Sequence, residues 1–199
     1  MKKRIVSVVS VLLILALTVT FFACKTSANW ATQKNESKNS NANLQETNGS
    51  AKYIVFAALD DEGELIPAGS SSAIEAYAVV GYTGDVSELV VPDEFAGAVV
   101  TKILAVTPYS AYQCFMNGVA YTGEDARLQN NPLITSIRFG SNVTYVGAAV
   151  CAGMTSLASV YFDHVEAGVT LGANAFAACP LLTSGSITYK PAPESSEEP

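Results

Sequence analysis

The chain has 199 residues, room for one domain plus tails, with 49% hydrophobic content and a formal charge of −7. From residue 51 onward only Lys52, Lys102, Arg127, Arg138 and Lys190 are basic. No cluster of cations is available to grip a phosphate backbone, so a nucleic-acid partner is disfavoured, and the acidic balance is read as serving solubility.

The N-terminus carries an address. Lys2-Lys3-Arg4 is a positive n-region, and the uncharged run from Ile5 to Ala23 completes the pattern of a secretory signal. That run is also just long enough for a membrane-spanning helix, although Ser7, Ser10, Thr18 and Thr20 dilute it. Cys24 favours the first reading. Phe21-Phe22-Ala23-Cys24 resembles the bacterial lipobox, with Phe21 standing where leucine is usual. The resemblance implies a signal peptide over 1–23, a lipidated Cys24, and export to the cell envelope (outer membrane or cell surface) on a lipid anchor. Loss of Lys2, Lys3 and Arg4 takes the formal charge from −7 to −10. Residues 24–50 are rich in Asn, Ser, Thr, Lys and Gln and read as a flexible tether. A coil of that length spans about 30 Å. Asn35, Asn48 and Asn142 each open a match to the glycosylation pattern, which chance explains behind a bacterial lipobox.

Tyr53 to Leu59 is a buried-strand candidate, followed by Asp60-Asp61-Glu62-Gly63-Glu64 and Leu65-Ile66-Pro67. That order suggests a hairpin with a solvated turn; the ligand spacing of a calcium loop is missing. Ala76 to Tyr82 is the next strand, Thr83-Gly84-Asp85 its turn, and Leu89-Val90-Val91-Pro92 follows. Residues 51–88 are expected to form an N-terminal hairpin cap.

From Ile103 to Asn131 is 28 positions, against eight for the equivalent steps Val146 to Met154 and Leu171 to Cys179. The segment 104–130 therefore holds an insertion, about 20 residues beyond the length of a regular repeat step. It carries Tyr109, Tyr112, Phe115 and Tyr121, with Gly118 and Gly123 as hinges. Solenoid insertions emerge as loops, often on the binding face, and aromatic side chains give contact area at small entropic cost. Two outcomes stay open: a partner-binding loop, or a flap whose rings fold back and cap the core.

The stretch from Asn131 to Thr183 repeats itself. Ile134 to Phe139 matches Leu157 to Phe162 at an offset of 23, and Val146-Gly147 matches Leu171-Gly172 at an offset of 25. Val150, Met154 and Leu157 match Ala175, Cys179 and Leu182, again 25 apart. Such a period marks a solenoid, whose single unit cannot bury its apolar face alone. Tyr77-x-Val79-x-Gly81-Tyr82-x-Gly84, then Val91-Pro92, then Gly97-x-x-Val100-Thr101-x-Ile103 resembles the opening of BspA-like leucine-rich repeat proteins. Leu171-Gly172-x-x-Ala175-Phe176-x-x-Cys179-x-x-Leu182 resembles their later repeats, although Cys151 and Met154 depart from the Phe and Cys slots one copy earlier. The resemblance covers about 77–189 and implies an α/β fold leaning to β. The expected architecture is a short right-handed leucine-rich-repeat solenoid with parallel strands over 51–189. Lys190 to Pro199, with three Glu and three Pro, reads as a disordered acidic tail.

Catalytic patterns are not found. His164, flanked by Asp163 and Glu166, is the one histidine and makes no recognisable metal site. Cys114, Cys151 and Cys179 lie in no nucleophile signature, and the last two fall in core slots of the repeat. With Cys24 lipidated, three cysteines remain, so at most one disulfide is possible. No catalytic residue, metal or cofactor is assigned. The leading expectation is a non-enzymatic, membrane-anchored module that binds another protein, with BspA-like proteins implying adhesion. The alternatives are a structural or assembly lipoprotein of the envelope and, more remotely, an enzyme with an unrecognised site.

Overall fold

A computed structural model of the chain describes residues 49–193. The signal segment, Cys24, the tether up to residue 48 and residues 194–199 lie outside the described residues. The chain forms a β-solenoid of about five turns, built almost wholly from short strands.

Two sheets wrap one core, and the chain alternates between them. The larger sheet stacks β2 (Ala76–Tyr82), β5 (Ala98–Ile103), β9 (Tyr145–Val146) and β11 (Thr170–Leu171) in parallel. The smaller stacks β3 (Glu88–Val90), β8 (Ser136–Phe139), β10 (Ser159–Phe162) and β12 (Ile187–Tyr189), also in parallel. Ile137 pairs with Val160 and Val146 with Leu171, so each offset found in the sequence is the length of a single coil. The apolar column Leu89, Ile137, Val160 continues to Ile187, and Val79, Ile103, Val146 to Leu171. Inside, Phe139, Phe162 and Tyr189 occupy one register, with ring centroids 4.7 and 5.0 Å apart. Each ring fills the space above the one before, which is why an isolated coil has no core of its own.

The corners explain why the expected α component is missing. Among the described residues the only helical segments are three short 3₁₀ turns, at Ser50–Tyr53, Tyr109–Ala111 and Glu166–Gly168. Between the two sheets the chain makes left-handed turns: Ala149 and Asn174 share one slot, and Asn130, Gly153 and Ala178 share another. Positive φ every few residues forbids a helix. Stacked backbone bonds join the corners instead, from Ala149, Cys151 and Gly153 N–H to the carbonyls of Ala173, Ala175 and Ala177.

The cap begins earlier than the tether boundary suggests, since Ser50 is buried and its hydroxyl bonds both the N–H and the C=O of Val90. β1 (Ile54–Leu59) pairs antiparallel with β2, and the Asp60–Glu64 turn folds Leu65 back on Leu59. Asp60 accepts from the N–H groups of Glu62 and Glu64, so the acids close a turn. β4 (Glu94–Phe95) adds a two-residue hairpin to β5 and sends Phe95 into the core, stacked 4.0 Å from Phe56.

Candidate functional site

The insertion is a roof. β6 (Cys114–Met116) pairs antiparallel with β1, and β7 (Val119–Ala120) with β6, so the segment extends the larger sheet beyond its first strand. Its remainder covers the outer face of β1 and β2. Ile54, Phe56 and Ala58 face the solenoid core, whereas Val55, Ala57 and Leu59 face a second cluster with Val106, Tyr109, Cys114 and Ala126. Both faces of β1 are consequently buried. Gly81 has no side chain because the Ala126 carbonyl occupies that space and accepts from Tyr82 N–H.

The four aromatic residues proposed as a binding loop are placed unequally. Tyr109 is buried, donates to the Val80 carbonyl at 3.3 Å and meets the Tyr121 ring edge-on at 5.4 Å. Burial holds its phenol well above the ordinary range, at about 12. Phe115 sits opposite Phe56 and edge-on to Tyr77; Tyr112 and Tyr121 are half-buried against the second cluster. The insertion's exposed parts include the β6–β7 turn at Asn117-Gly118, with Val119 69% accessible, and the run 122–125.

The open surface lies elsewhere, on the outer face of the smaller sheet. Strand alternation turns Ile137, Val160 and Phe162 inward and Ser136, Arg138, Ser159, Tyr161 and Thr188 outward. Arg138, Tyr161 and Thr188 form one column in direct register. The Arg138 guanidinium lies 5.7 Å from the Tyr161 ring centre, a cation–π distance. At the strand ends Asp163 takes Arg138 at 3.4 Å and Lys190 at 3.5 Å. The result is a shallow, hydroxyl-lined depression with one aromatic ring and one guanidinium at its centre and Glu88 at its rim. No motif announces this face. Its signal in the sequence is the outward parity of positions 138 and 161, one coil apart, which repeat analysis reads as mere solvation.

The chemistry elsewhere is quiet. His164 turns Nδ1 to the Val165 carbonyl at 2.9 Å, and Asp163 is occupied by its two cations. Among the described residues no three His, Cys, Asp or Glu side chains converge as metal ligands. Cys114, Cys151 and Cys179 are free, buried thiols. Burial lifts Cys114 to about 11 and Cys151 further still, the opposite of what a nucleophile needs. Cys179 Sγ donates to the Cys151 carbonyl at 3.2 Å, a link between coils. Among the described residues no helix is long and apolar enough to cross a membrane. Comparison with protein-family models, curated proteins and solved structures gives no match.

Proposed function

We propose that this chain is an interaction module of the cell envelope, held by a lipidated Cys24 and binding another protein through the outer face of the smaller sheet. The observation that carries the reading is the Arg138–Tyr161–Thr188 column: an arginine and a tyrosine held side by side on paired strands whose inner faces are buried. Arg and Tyr are the residue types that concentrate binding energy at interfaces, and a rigid strand holds them at low entropic cost. The lipobox resemblance supplies the anchor. The BspA-like repeat pattern supports adhesion as the task and a leucine-rich repeat as the solenoid type.

The test pairs Arg138→Ala with Tyr161→Ala. An exposed ion pair is worth about 0.2–1 kcal/mol, so the double variant keeps its fold. Capture of a host-surface or envelope protein by the anchored chain is expected to fall at least tenfold. Undiminished capture by the double variant moves the site off this face. Surface protease on intact cells separates adhesin from internal assembly component: the adhesin is removed, the component spared.

A further inference from the structure

The two ends of the solenoid are finished differently. At the first coil, β1, β6 and β7 extend the larger sheet antiparallel, and Ser50 occupies both backbone groups of Val90 on the outer edge of β3. At the last coil, among the described residues, β11 pairs only with β9 and β12 only with β10. Leu171 is 39% and Leu181 53% accessible there. An apolar groove lined by Phe176, Cys179, Leu182 and Ile187 opens beside them.

The bonding pattern says what shape of partner fits. Ser186 C=O accepts from Val160 N–H, and Lys190 N–H donates to Phe162 C=O, so the even-numbered residues of this strand point their backbone groups inward. By alternation the N–H and C=O of Ile187 and Tyr189 point out of the edge. A second β12 laid antiparallel with its centre on Thr188 sets Ile187 against Tyr189 of the copy twice, using all four N–H groups and all four carbonyls. That register is self-complementary, as a two-fold contact requires.

Charge selects the same occupant. Not one charged residue lies in 167–189, although the chain as a whole carries −7. Natural edge strands are commonly guarded by lysine or inward-pointing charge; β12 itself carries none, and Lys190 and Pro191 guard only its C-terminal end. A neutral end lets two acidic molecules meet without repulsion. The chain's own C-terminal segment is a poor alternative, because Pro191 and Pro193 cannot donate to a sheet edge and three glutamates follow. Because a two-fold contact uses the same edge of both copies, the pairing consumes that edge and closes at two.

We infer that the last coil is a homodimer interface, in which two copies join end to end through antiparallel pairing of Ile187-Thr188-Tyr189 about a two-fold axis at Thr188. The contact closes at two and leaves the Arg138–Tyr161 part of the sheet face open on both copies.

Oxidative cross-linking of the full chain in its membrane tests this. Thr188→Cys places two thiols on strands whose Cα atoms lie about 4.5 Å apart across the axis, within the roughly 4.4–6.8 Å that a disulfide spans. Ser159→Cys, on the neighbouring strand and two residues off the axis, lies about 20 Å from its copy and serves as the control. The expected result is a covalent dimer with Thr188→Cys beyond the level of the unsubstituted chain, and none with Ser159→Cys. Thr188→Asp, which sets like charges face to face, is expected to raise the dissociation constant about tenfold or more in detergent sedimentation, with the unfolding midpoint of the dilute monomer unchanged. No dimer with Thr188→Cys, equal cross-linking at Ser159→Cys, a ladder beyond two, or an adduct with a different protein each overturns the inference.

Discussion

Phe162→Ala tests the stacked core most directly. Phe162 is fully buried between Phe139 on one side and Tyr189 on the other, at 4.7 and 5.0 Å. Truncating such a ring costs about 3–5 kcal/mol, counting both the lost transfer energy and the cavity left behind. Within that figure the two ring contacts account for about 0.5–1.5 kcal/mol each. A domain of this size is stable by only about 5–15 kcal/mol, so the loss is a large fraction of the whole. It is also local, because a solenoid coil touches only its neighbours. Removing the ring deprives the last rung of its support first. Hydrogen exchange is expected to quicken at Val160, Gly172 and Lys190, whose N–H groups bond Ser186, Val146 and Phe162. Ala58 and Leu104, bonded to Gln113 and Val79, keep their protection. Tyr161→Ala, one residue away but turned outward, is expected to cost no more than about 1 kcal/mol. A cost for Phe162→Ala below about 1.5 kcal/mol by urea unfolding, well under the usual range for a buried ring, refutes the picture of rings stacked coil upon coil. Equal loss of protection in β1 and β2 refutes it too.

Further expectations concern corners, roof and pH. Ala178 holds φ near 54° in the slot where the preceding coil has Gly153, so Ala178→Gly relieves left-handed strain and raises thermal stability by up to about 1 kcal/mol. The reverse change, Gly153→Ala, drives a methyl into the Asn130 side chain and is expected to destabilise by about 1–3 kcal/mol, read from the same melting curves. Gly81→Ala puts a methyl where the Ala126 carbonyl lies, so limited proteolysis is expected to open the 104–130 segment while the parallel stack resists. Burial raises Tyr77 and Tyr109 from 10.0 to about 12 and Cys114 from 9.0 to about 11. The folded state therefore keeps protons that the unfolded chain has already lost. Stability is untouched by these groups below pH 9 and falls above it, by about 1.4 kcal/mol per pH unit for each group inside its window, until pH passes the folded values. Urea midpoints that stay flat from pH 8 to 12 contradict that burial.

The parallel stack was readable because a coil's length is its register: the offset from Ile137 to Val160 is the distance the chain travels before it must pair with itself again. The same logic placed Cys151 in the core despite its departure from the repeat, together with Cys179, which matches it. It failed at β3, which pairs Leu89 with Ile137 across two coil lengths of chain because the insertion interrupts the period. Antiparallel pairing leaves no periodic trace at all, so nothing in the sequence ties Phe115 to Phe56. The rings of the insertion were ambiguous on physical grounds, since tyrosine suits a buried edge with a hydroxyl partner as well as an exposed contact. The missing helix reflects Ala149 and Asn174 at positive φ, a backbone state that alanine does not advertise.

How the stack stops bears on both proposals. A parallel solenoid must end on exposed backbone unless something else is recruited, and at the first coil an antiparallel strand pair, the insertion and one serine hydroxyl are recruited. At the last coil the chain relies on shortness. Lys190 and Pro191 follow β12 directly, limiting the exposed strand to three residues without covering it. An edge that brief is too small to seed open-ended pairing, yet long enough for the four bonds of a centred pair. Covering it with a fixed cap would also have hidden the Thr188 end of the column that carries Arg138 and Tyr161. A partner that arrives as a second copy satisfies the same edge and places two such columns in one continuous sheet, doubling the surface offered to whatever the face binds.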